Sequence, residues 1–89
     1  MPHYDIRVEG RVQGVWFRQS TLEKASELNL NGIVKNEPDR SVYIEAEGDY
    51  KAIEQLFLWC LDGPRMADVV DVQMTRGAMK NYSGFRIVR

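Results

Sequence analysis

The residues best suited to chemistry lie in one short stretch, "EGRVQGVWFRQS", Glu9 to Ser20. Gly10 and Gly14 sit four apart, and Trp16, Phe17 and Arg18 follow directly. Glycine permits the backbone angles that aim several N–H groups at one point. A helix beginning just after such a turn adds its own unpaired N–H groups and the positive end of its dipole. Arginine adds a planar fork that matches phosphate oxygens. Together these features describe an anion cradle sized for one phosphoryl group. It is not a nucleotide loop, because both the "GKS" or "GKT" ending and the G-x-G-x-x-G pattern are absent. On spacing alone a second reading stays open and is the commoner one: a glycine turn beside a solvated arginine.

The remaining candidates read as structure. His3 is the only histidine and lies near the terminus, where a disordered or solvated side chain is expected. Cys60 falls on an apolar helical stripe and reads as a buried thiol. Neither suggests a metal site, which needs several ligands together. Glu45 and Glu47 alternate with Ile44 and Ala46, and a solvated strand face accounts for them. Of Trp16 and Phe17, one is expected to pin the loop onto the core.

Several elements must position the loop. "YDIRVEG" alternates, with Ile6 and Val8 on one face and Asp5, Arg7 and Glu9 on the other, as in a half-buried strand. Leu22, Ala25 and Leu28 give a helix from about Ser20 to Asn29, stopped by "NLNG" with Gly32 in the left-handed region. "GIVKN" and "SVYIEAEG" flank the turn "EPDR" and form a hairpin. Asp49 is suited to cap a second helix striped with Ile53, Leu56, Phe57, Cys60 and Leu61. "DVVDVQMTRG" places Val70, Val72 and Met74 on one face of a further strand, and "GFRIVR" closes the chain. The order is β-α-β-β-α-β plus a short C-terminal strand. Right-handed crossovers put both helices on one face of an antiparallel sheet, giving an α+β, ferredoxin-like split β-α-β.

Composition bounds the function. Eighty-nine residues, 44% hydrophobic and 28% charged, specify one globular domain spanning 1–89. A net charge of −1 argues against nucleic-acid or membrane-surface binding. An RNA binder of this fold would display aromatic side chains on its central strands, where this chain has Asp5, Arg7, Tyr43 and Glu45. With one cysteine, no apolar leader and no apolar run near 20 residues, a cytoplasmic protein is expected.

"GRVQGVWFR", Gly10 to Arg18, resembles the phosphate-binding signature of the acylphosphatase family. "GIVKN", ending at Asn36, resembles that family's second motif. "SVYIEAEG", "GPRMADV" and "YSGFRIV" extend the likeness over nearly the whole chain. Two positions depart from it: Ile33 stands where the family usually has an aromatic residue, and Arg40 where it usually has a hairpin glycine. The resemblance implies hydrolysis of acyl phosphates with no metal or other cofactor. It also implies that the backbone N–H groups of Gln13, Gly14, Val15, Trp16, Phe17 and Arg18, with the Arg18 guanidinium, hold the phosphoryl oxygens. Asn36 would orient the attacking water. Phosphate and sulfate should compete for the cradle, and a monomer is expected. The alternative is a regulatory anion sensor without turnover, which would have no use for Asn36.

Overall fold

The computed structural model describes residues 1–88, so the last residue of "GFRIVR", Arg89, lies outside the described residues. The elements are β1 His3–Arg11, α1 Phe17–Glu27, β2 Asn31–Asn36, β3 Val42–Glu47, α2 Tyr50–Asp62, β4 Asp68–Gly77 and β5 Phe85–Ile87. The five strands form one sheet in the order β4-β1-β3-β2-β5. This is the expected split β-α-β arrangement, with one difference: β5 runs parallel to β2, so the sheet is mixed.

The strand alternation explains the core. Ile6 lies opposite Ile44, Val8 opposite Val42 and Val34 opposite Ile44, so one face of β1, β3 and β2 is continuously apolar. Phe17 and Ala25 of α1 and Ile53, Leu56 and Cys60 of α2 close over that face. Each large side chain buried this way contributes about 1.5–3 kcal/mol.

Local corrections have local causes. α1 starts at Phe17, three residues before the expected Ser20, because Phe17 itself is buried. Its left-handed stop is Asn29 (φ 59°), while Gly32 lies inside β2, where a Cβ would collide with the Glu45 carbonyl. Asp49 occupies the cap position of α2 but makes no side-chain cap bond. Leu61 is largely exposed. So is Val70, because β1 and β4 slip register between Glu9 and Gly10. Asp71 pairs with Glu9 and Val69 with Gly10, so Val69 turns toward the core instead. Arg40 adopts φ 76°, so the hairpin keeps a glycine-like backbone without glycine. Asp39 does brace this turn, its Oδ1 accepting from the Ser41 amide at 3.0 Å.

The larger correction concerns the sheet's other face. His3 is 1% exposed, and Glu45 and Glu47 are buried as well. The segment between β4 and β5 crosses this face and covers them. His3 Nδ1 lies 2.7 Å from Glu47 Oε2, and its Nε2 lies 2.8 Å from Asp5 Oδ1 and 3.5 Å from Glu45 Oε1. Ionised carboxylates only accept, so these contacts are satisfied together when both ring nitrogens donate, as they do in the imidazolium form. Glu47 also accepts from the amides of Lys80 (2.6 Å) and Tyr82 (2.9 Å). Glu45 accepts from the hydroxyls of Tyr43 and Tyr82 and pairs with Lys80 Nζ at 2.9 Å. His3, Asp5 and Glu45 also bring metal-ligand atom types within 4.8 Å of one another, a grouping absent from the sequence reading. Here those atoms are engaged with one another and with the crossing segment.

The cluster sets a pH window. Burial alone would lower the His3 pKa, but its bonds to Glu47 and Asp5 outweigh that and raise it above 6.5. Its stabilisation is therefore complete below 6.5 and lost as pH rises through the raised value. Burial would raise the two glutamates, yet their donors hold both below 4.5. Their contribution is present above 4.5 and lost as pH falls through the lowered values. Urea unfolding should therefore give maximal stability between these limits and a decline as pH rises above 6.5. His3→Gln should flatten that alkaline decline. An equal decline in the variant would assign it to other groups.

Candidate active site

β3 runs antiparallel to both β1 and β2. β1 and β2 therefore point the same way, and their C-terminal ends meet at one end of the sheet. The loop after β1 and Asn36 at the end of β2 are brought together by topology, although 18 positions separate Arg18 from Asn36. β5, parallel to β2, brings Ile87 to the same end.

Residues 12–16 hold a conformation they would not adopt freely. Val12, Val15 and Phe17 turn into the core, at 1%, 7% and 1% exposure. Gly14 (φ 74°) and Trp16 (φ 65°) between them take left-handed backbone. Trp16 is the N-cap residue of α1 and offers its helix no side-chain acceptor, and the first turn contains no acidic residue. The leading N–H groups of α1 thus stay free for an anion. Thr21, one turn in, donates its hydroxyl to the Phe17 carbonyl at 2.7 Å.

A side chain on the loop fixes it to the hairpin. Gln13 Nε2 donates to the carbonyls of Glu37 and Ser41, each at 2.9 Å. One amide thereby spans the β2–β3 turn and ties it to the loop.

The cleft that results measures 610 Å³. Among the described residues its lining includes Gly14, Trp16, Phe17, Arg18 and Asn36 from the sequence-derived set. Gln13 and Val15 belong to the loop but point elsewhere, one to the hairpin and one to the core. Val12, Gln19 and Ile87 also line the cleft and were missed. Alternation in the short last strand is the only signal that could have flagged Ile87. The Gln13 side-chain role had no signal at all, since its acceptors are backbone carbonyls. Arg18 is half-buried at the second position of α1. No carboxylate among the described residues pairs with it. Asn36 Oδ1 is buried without a hydrogen-bond partner. A buried orphan acceptor costs about 1–3 kcal/mol, so the Asn36 side chain gains by turning toward a donor, and the cleft that the residue lines is where one can enter.

The Gln13 tether yields a direct expectation. Gln13→Ala should lower stability by about 1–3 kcal/mol, from two lost bonds of about 0.5–1.5 kcal/mol each. It should also reduce the rise in Tm expected with inorganic phosphate, because the loop amides lose their fixed aim. Urea denaturation and phosphate-dependent melting curves measure the two effects. Unchanged values for both would remove the tether from the site.

The comparisons agree with the geometry. The acylphosphatase family model matches residues 4–87. An acylphosphatase from Methylococcus capsulatus is 41% identical over 90 residues, covering 100% of this chain and 98% of its own. The crystal structure of acylphosphatase from Bacillus subtilis has a TM-score of 0.96 at 36% identity, with both chains covered completely. An acylphosphatase structure from Coxiella burnetii has a TM-score of 0.94 at 38% identity, covering 98% of this chain and 92% of the other. With the family model matched over residues 4–87, and with near-complete overlap in sequence and in fold, this chain belongs to the acylphosphatase family.

Proposed function

We propose that the chain is an acylphosphatase that cleaves the carboxyl–phosphate bond of acyl phosphates without a metal ion. The observation that carries the division of roles is the buried, unpartnered Oδ1 of Asn36, a residue that lines the same cleft as Arg18. The N–H groups of Gln13 to Arg18 and the Arg18 guanidinium hold the phosphoryl oxygens. Asn36 Oδ1 accepts a hydrogen bond from the attacking water and aims its oxygen at phosphorus. The P–O bond to the acyl group breaks, and its electrons leave on the carboxylate. Asparagine is too weak a base to take the water's proton, which passes to a phosphoryl oxygen of the substrate. Phosphoryl transfer asks mainly for positioning and charge stabilisation, and this site offers both. A monomer in a reducing, cytoplasmic setting completes the reading, in keeping with a lone and buried thiol. An anion sensor without turnover would use the same cradle but leaves the orphan Asn36 oxygen unexplained.

Purified protein should hydrolyse benzoyl phosphate at the same rate in excess chelator, with inorganic phosphate as a competitive inhibitor. Arg18→Gln should impair binding and turnover together, by roughly 10³–10⁵ in rate. Arg18→Lys should rescue little, since a point charge lacks the planar fork. Asn36→Ala should cut kcat by about 10²–10³ and leave the phosphate inhibition constant nearly intact. Near-normal turnover in Asn36→Ala would pass the water-positioning role to another group. Equal loss of phosphate affinity in both variants would put Asn36 in the cradle instead.

A further inference from the structure

The cleft is far larger than a phosphoryl group, and its surplus is lined unevenly. Among the described residues Arg18 is the only charged group on it, and its charge is committed to the phosphate. Gln19 and Asn36 are polar, and Val12, Trp16, Phe17 and Ile87 are apolar. Val12 and Phe17 are already buried, which leaves two apolar side chains free to meet a ligand. Trp16 is 76% exposed and Ile87 37%.

Trp16 is costly as it stands. A bulky residue in left-handed backbone is strained. Its indole gains little from packing in return, because most of it faces water. Topology brings it to the same cleft as Ile87, one at the start of α1 and the other at the end of β5.

We infer that Trp16 and Ile87 form the wall that receives the acyl half of the substrate, and that they select acyl phosphates with an apolar, preferably planar, acyl group. A distal carboxylate or second phosphate would find no cation beyond Arg18 among the described residues that line the cleft. An aromatic acyl group would instead cover the exposed indole, where ring pairs gain from offset or edge-on contact. The inference rests on the proposed hydrolysis, since the phosphoryl group must sit in the cradle for the acyl group to reach this wall.

The test compares two substrates that share the phosphoryl group and differ only in the acyl group, benzoyl phosphate and acetyl phosphate. The readout is the ratio of their kcat/KM values in wild type, Trp16→Ala, Trp16→Phe and Ile87→Ala. Damage to the cradle or a loss of folded protein affects both substrates alike and cancels in the ratio. Alanine at 16 also demands the same unusual backbone, so the change isolates the side chain. The benzoyl-to-acetyl ratio should fall about fivefold or more in Trp16→Ala. It should fall about two- to threefold in Ile87→Ala, where less apolar area is removed, and it should largely survive in Trp16→Phe. A ratio within twofold of wild type in both alanine variants would overturn the inference while leaving hydrolysis in place. Turnover of neither substrate by wild type would instead overturn the proposed function and the inference with it.

Discussion

The site depends on one constraint: backbone N–H groups must be kept from pairing with their own chain. Free amides in a flexible loop find water or a carbonyl. Here the option is removed from three sides. Val12, Val15 and Phe17 are drawn into the core, which fixes where the intervening peptides point. Gln13 is held by two hairpin carbonyls, so the loop cannot fold back on its start. α1 then begins with no side chain to cap it. In the proposed cradle, anion affinity is thus a property of hydrophobic burial as much as of charge, because the apolar side chains aim the polar backbone.

The sheet's second face matters for a related reason. A domain this small buries only a modest fraction of its surface, and the helices cover one side of the sheet. The other side is closed by the segment between β4 and β5, held through His3, Glu45, Glu47, Lys80 and Tyr82. That segment delivers β5 to β2: the Gly84 amide donates to Asn31 Oδ1, and the Gly32 amide donates to the Gly84 carbonyl. β5 supplies one wall of the cleft. A polar cluster on one face and the proposed anion site at the sheet's end therefore share a single stretch of chain.

Much of this was legible in the residues, and what was not has physical reasons. Strand alternation gave the core face of β1 and β3, and the i, i+3, i+4 stripe gave most of α2, because burial imposes those periods directly. The position of the glycine loop followed from the strand before it and the helix after it. Val70 failed because the slip at Glu9 and Gly10 depends on pairing between two strands, which one strand's pattern does not contain. His3 and the two glutamates failed because each is polar, and polar residues on a strand face normally mean solvent. Their burial comes from pairing with one another and from the cover of the segment that carries Lys80 and Tyr82, all distant in the chain. Asn36 was legible through its motif, whereas the orphan state of its oxygen is visible only in three dimensions.

Cys60 carries a practical consequence of the tight core. The thiol is fully enclosed under α2, and burial pushes its pKa upward, so no thiolate is available at the surface of the native fold. It is the only cysteine in the chain. A thiol-reactive reagent therefore finds no target until α2 lifts from the sheet. The chain thus carries its own clock for opening: each labelled molecule marks one exposure of the core, recorded without an added probe and without touching the anion site.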